Sequence, residues 1–227
     1  MWAIAKKELK SYFLSPIGYI YIGGFLLTCS IFFYLYILNY QSVMLSEMFG
    51  SATTVATFII PILTMRMFAE EKRSGTEQIL LTSPRSVTQI VLGKFLAAAI
   101  IVLISTLLTL MYLIILSFFG KPPIASNLVA IFGFSLLLIA YVSLGMFISS
   151  LVENQVVAAI ISVAVSFIIM FMPSFAPATQ PYSLVYAFWS SFINGTISPA
   201  GIVLLLSFSV LFVIFTIMVI QRRKLVK

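Results

Sequence analysis

Phe95-Leu96-Ala97-Ala98-Ala99-Ile100-Ile101-Val102-Leu103-Ile104-Ser105-Thr106-Leu107-Leu108-Thr109-Leu110-Met111-Tyr112-Leu113-Ile114-Ile115-Leu116-Ser117-Phe118-Phe119-Gly120 contains no ionisable group other than the Tyr112 phenol. About 20 mainly apolar helical residues are enough to cross the hydrocarbon of a bilayer, so this run reads as a membrane span. Outward from it, further uncharged runs cover 11–46, 48–65, 122–152 and 154–221. The whole chain of 227 residues is 62 % hydrophobic and 8 % charged, against about 25 % charged for a soluble domain. Its solvent is therefore lipid, and the class is an all-α integral membrane protein.

Hydropathy and helix breakers predict spans near 17–38, 51–69, 89–118, 127–150, 155–172 and 200–220. Pro173, Pro177, Pro181 and Pro199, with Asn194-Gly195, divide the longest run into two crossings joined by a loop. The expected organisation is one membrane domain over 1–227, with a basic tail at 221–227 after a six-span bundle over 17–220.

The basic residues orient the chain. With six spans, Lys6, Lys7, Lys10, Arg66, Lys72, Arg73, Arg85, Lys94, Arg222, Arg223, Lys224 and Lys227 fall on one side and only Lys121 on the other. Short cytoplasmic loops retain such residues, so both termini are expected in the cytoplasm. A net charge of +7 spread beside membrane spans suits anionic lipid, at about 1 kcal/mol per basic residue, and not nucleic acid. Trp2, Ala5, Leu9, Tyr12 and Phe13 recur at helical spacing among Lys6, Lys7 and Lys10, which predicts an interfacial helix within residues 1–13. Tyr19 and Tyr21 at one end of the first span, and Tyr34, Tyr36 and Tyr40 at the other, read as interfacial rings. Gly23-Gly24, Gly93, Gly133 and Gly145 read as points of close helix approach. Cys29 is the single cysteine and has no intrachain partner for a disulfide.

Several chemistries are excluded. Without histidine or aspartate the chain has no Ser-His-Asp triad and no H-E-x-x-H metal site. Gly93-Lys94 is followed by Phe95 and lacks the earlier glycine of a phosphate-binding loop. No catalytic, cofactor-binding or metal-binding residue is expected in this chain.

Against that background the segment Glu70-Glu71-Lys72-Arg73-Ser74-Gly75-Thr76-Glu77-Gln78-Ile79-Leu80-Leu81-Thr82-Ser83-Pro84-Arg85 is distinctive, because it holds three of the six acidic residues. Arg66 and Glu70, four apart, form an ion pair if the second span continues as a helix. Gly75 suits a turn, Thr76 a helix cap, and Glu77 the first turn of a short helix over about 76–82. Ser83-Pro84 reads as cap and first position of the next helix. Ile79, Leu80 and Leu81 give the short helix an apolar tip, suited equally to the bilayer surface or to a groove on a soluble protein.

The pattern from Arg66 to Pro84, with Gln89-Ile90-Val91-Leu92-Gly93-Lys94, resembles permease subunits of ABC-2 type transporters. Met1-Trp2-Ala3-Ile4-Ala5-Lys6-Lys7-Glu8-Leu9-Lys10, Ser149-Ser150-Leu151-Val152-Glu153-Asn154-Gln155 and Phe192-Ile193-Asn194-Gly195-Thr196-Ile197-Ser198 resemble the same family, and the gliding-motility-associated group within it most. The resemblance implies a cytoplasmic coupling helix between spans 2 and 3, formed or positioned by Glu70, Glu71, Gly75, Thr76, Glu77, Gln78 and Leu80. It also implies short re-entrant outer helices between spans 5 and 6. The implied partners are an ABC ATPase subunit carrying ATP and Mg, a second permease half that is identical or related, and membrane lipid. Any extracytoplasmic reading head would belong to an auxiliary subunit. The implied function is export across the cell membrane driven by the partner's ATP hydrolysis. The alternative is an ATP-independent channel or membrane scaffold.

Overall fold

The computed structural model describes residues 1–39, 45–77 and 86–226, and among them every regular element is a helix. Six helices are long and apolar enough to cross a membrane: span 1 (Pro16–Tyr36), span 2 (Leu45–Arg73), span 3 (Val87–Phe118), span 4 (Ile124–Leu151), span 5 (Gln155–Phe175) and span 6 (Pro199–Lys224). The chain is a multi-pass membrane protein.

Most expected boundaries lie within a few residues of these ends, and the differences have local causes. Span 2 starts earlier than expected because Asn127 Oδ1, on span 4, accepts the Leu45 N–H at 2.9 Å. Glu47 occupies its first turn, where a carboxylate faces the positive end of the helix dipole. Span 3 begins at Val87, capped by the Ser86 hydroxyl that accepts from Gln89 N; Ser83-Pro84 lies outside the described residues. The last helix runs on past span 6 to Val226.

Span 4 is the central post. Some 72 % of its apolar window is enclosed by protein, against 17 % for span 5, 22 % for span 6 and 28 % for span 1, which face outward. Lipid removes most of the hydrophobic drive for helices to associate, so close packing and hydrogen bonds between helices hold the bundle. Gly145 and Gly133 serve as close approaches: a Cβ on Gly145 would lie 2.2 Å from Thr64 Oγ1, and one on Gly133 2.1 Å from Phe192. Gly23 and Gly24 have open space beside them and are not packing points. Several buried hydroxyls donate within their own helices, as Thr53 does to the Phe49 carbonyl and Ser143 to that of Ala140.

Tyr19 and Tyr34 are exposed as expected of interfacial rings, whereas Tyr21 is fully buried and stacks on Phe25. Tyr40 lies outside the described residues. Between spans 5 and 6, where the helix breakers predict a loop and the resemblance implies short helices, the chain forms short helices: a 3-10 turn at Pro177–Tyr182, an α turn at Leu184–Ala187 and a π turn at Phe188–Phe192. Phe188 and Phe192 are fully buried; Phe188 meets Phe134 of span 4, which also packs on Phe49 and Phe25. Tyr182, Tyr186 and Trp189 remain exposed.

Candidate functional site

An even number of crossings returns the chain to one end of the bundle, where the amino-terminal helix, the junction of spans 2 and 3 and the close of span 6 assemble. The amino-terminal helix, Trp2–Leu14, buries Ile4, Ala5 and Tyr12 while Trp2, Phe13 and Leu14 stay exposed. It docks on the beginning of span 3, where Gly93 lets it approach: a Cβ there would lie 2.8 Å from Ile4. Tyr12 donates to the Leu63 carbonyl of span 2 at 3.1 Å. Burial, and then the nearby Glu8 carboxylate, push the Tyr12 hydroxyl above its ordinary range, so it stays a protonated donor.

The second fastening is ionic. Lys94, one position after Gly93, is 2 % exposed and lies 3.3 Å from Glu8 and 2.8 Å from Glu71. Its ammonium also stands 5.2 Å from the Phe68 ring centroid. One buried cation therefore joins the amino-terminal helix, the end of span 2 and the start of span 3. A buried lysine is tolerable only with such partners. A cavity of about 240 Å³ lies beside this cluster, walled by Tyr12, Ser15, Arg66, Glu70 and Lys94 among others.

The end of span 2 is built from the residues singled out by sequence. The helix is interrupted at Met65, four residues after the in-helix Pro61, and resumes as Arg66–Arg73. Arg66 holds Glu70 with two guanidinium nitrogens, Nε at 2.5 Å and Nη2 at 3.0 Å, as the four-residue spacing predicts. Gly75 has φ +73°, the left-handed conformation that ends the helix. The Thr76 hydroxyl turns back to Ser74 Oγ at 2.8 Å. Glu77 pairs at 3.5 Å with Arg223 from the last turn of span 6. Glu70, Glu71, Gly75, Thr76 and Glu77 are thus gathered at one end of the bundle; Gln78 and Leu80, like most of the expected 76–82 helix, lie outside the described residues.

Two side chains that the sequence did not single out complete the site. Ser149 Oγ accepts from Phe68 N and Ala69 N at 3.1 and 3.2 Å and donates to the Met65 carbonyl at 3.0 Å. Lys72 Nζ donates to the carbonyls of Ser150 and Val152. Ser149-Ser150 at the close of a long apolar helix was the available signal, but a serine there equally satisfies itself on its own helix.

Among the described residues no group of His, Cys, Asp or Glu could hold a metal ion. Lys94 and Arg66 are both engaged by carboxylates: Lys94 fixes three helix ends to one another, and Arg66 stays paired within its own helix.

Comparison with curated proteins gives no match. A family model described as "ABC-2 family transporter protein" matches residues 38–193, more than two thirds of the 227-residue chain. That stretch runs from the close of span 1 through the charged junction and span 4 to the short helices after span 5. With six membrane-crossing helices around it, the chain belongs to the ABC-2 family of transporter proteins, as a membrane-spanning permease component.

Proposed function

We propose that this chain is one membrane half of an exporter whose ATP is hydrolysed by a separate subunit. Two such halves, identical or related, would enclose the translocation route, and each would stand on an ABC ATPase subunit that carries the ATP and Mg. The chain itself would bind no nucleotide. Both termini and the 66–94 junction would face the cytoplasm of a cell membrane, with the amino-terminal helix against anionic lipid. An auxiliary subunit on the far side would supply any recognition head. Within the family the chain would fall in the gliding-motility-associated group that its sequence resembles, with no motility implied.

The observation that carries this reading is the construction of the junction. Lys94 with Glu8 and Glu71, and Glu77 with Arg223, tie both flanks of residues 78–85 to neighbouring helices, while Arg66–Glu70 stiffens the helix that leads into them. A junction with its flanks held in this way is suited to transmit force from a soluble partner, through Glu70, Glu71, Gly75, Thr76, Glu77, Gln78 and Leu80, to the spans. ATP-driven closure of the partner would then move span ends as rigid bodies.

The test is purification of the tagged chain from its native membrane in mild detergent, with mass spectrometry of its partners and ATP hydrolysis measured for wild type and Glu77→Lys. A stoichiometric P-loop ATPase that is lost or uncoupled in Glu77→Lys supports the permease. A clean chain with no ATPase favours the channel or scaffold.

A further inference from the structure

Helix ends leave backbone groups without partners: N–H groups at the start and carbonyls at the finish. Two such ends meet where span 2 passes the close of span 4. The interruption at Met65 makes Arg66–Arg73 a helix start inside the protein, with no side chain of its own capping it. Phe68 and Ala69, both buried, find their acceptor in Ser149 Oγ of span 4, and the same hydroxyl donates back to the Met65 carbonyl. In the other direction, span 4 finishes at Leu151, and its Ser150 carbonyl, with that of Val152 just beyond, accepts from Lys72 Nζ of span 2. A cation at that position also meets the negative end of the span 4 dipole. Gly145, one turn before Ser149, lies against Thr64 with no room for a Cβ.

We propose that Ser149 and Lys72 form a reciprocal clip that makes the end of span 2 and the end of span 4 one rigid piece. They are positioning residues through which displacement of the span 2 end is passed to span 4. Each helix supplies the cap that the other lacks, so sliding one along the other breaks both sets of bonds at once and exposes buried polar groups. Span 4 is the most enclosed helix and packs on spans 2, 3, 5 and 6. Movement delivered to it therefore spreads through the whole bundle, whereas span 3 is tied to the end of span 2 by Lys94–Glu71. The positioning role rests on the proposed ATPase-coupled function; the clip itself rests only on these bonds.

The experiment uses the full chain in lipid nanodiscs, with any co-purifying ATPase, as wild type, Ser149→Ala, Ser149→Thr and Lys72→Met. Hydrogen exchange of the Phe68 and Ala69 amides needs no partner protein. Ser149→Ala should speed it by about tenfold, the worth of one or two hydrogen bonds, and Ser149→Thr by no more than about twofold. The second readout is ATP hydrolysis by the complex relative to the isolated ATPase subunit; that ratio should fall in Ser149→Ala and Lys72→Met and be retained in Ser149→Thr. Unchanged exchange in Ser149→Ala overturns the clip. Faster exchange with an unchanged ratio overturns the positioning role. If no ATPase accompanies the chain, the positioning role falls with the proposed function, while the exchange data still decide the clip.

Discussion

Lys94 shows how much one side chain can hold. It is the sole lysine or arginine among the described residues that is fully buried, and two carboxylates share it. Replacing it by methionine keeps the volume but strands Glu71 without its cation and leaves Glu8 only Lys7, at 3.7 Å. Removing one partner of a buried pair costs about 3 kcal/mol or more, so Lys94→Met should melt well below wild type in detergent; an unchanged melting temperature would show that the cluster contributes nothing. Arg66→Ala is the contrast, since Glu70 is 43 % exposed and exposed pairs contribute about 1 kcal/mol or less. The same two residues show what sequence can and cannot reveal. Arg66 and Glu70 are four apart on one helix, so their pairing follows from helical geometry alone. Lys94 lies 86 residues from Glu8 and 23 from Glu71, and nothing local distinguishes it from a lysine that extends to the head groups.

At the scale of elements, uncharged length decided the six spans, because the bilayer imposes a minimum and the sequence has few charges with which to violate it. Contacts were less legible. Gly23-Gly24, Gly93, Gly133 and Gly145 look alike in sequence, yet only the last three meet a neighbouring chain segment closely, because which face of a helix points inward depends on the other five spans. Tyr21 likewise belongs to the core although its spacing suits an interface. Gly93 gives a direct test of how the amino-terminal helix is held. Gly93→Val would drive a side chain into Ile4 and the Met1 carbonyl. The helix should lift away, and trypsin should cut at Lys6, Lys7 or Lys10 faster than in wild type by about tenfold, as for a locally opened segment. Adding Ile4→Ala to Gly93→Ala should restore protection. Equal cleavage in Gly93→Val and wild type would mean that Lys94 and Tyr12 hold the helix without this contact.

For the whole molecule, the count of crossings and the charge asymmetry make one argument. Among the described residues, Lys121, between spans 3 and 4, is the only basic residue at its end of the bundle, while Lys94, Arg66, Lys72 and Arg223 gather at the other. Basic residues stay on the cytoplasmic side during insertion, so the proposed orientation would put the 66–94 junction where an ATP-hydrolysing subunit could reach it. Cys29 is buried and is the single cysteine, so Cys29→Ala gives a background for labelling with a membrane-impermeant maleimide. In that background Lys121→Cys, at an exposed site, should label on intact cells. Lys224→Cys, exposed at the close of span 6, should label only after permeabilisation. The reversed pattern would put the charged junction outside the cell, away from ATP, and the coupling proposal would fail. Labelling of both sites from outside would break the even count of crossings itself, and with it the meeting of Arg223 and Glu77 at one end of the bundle.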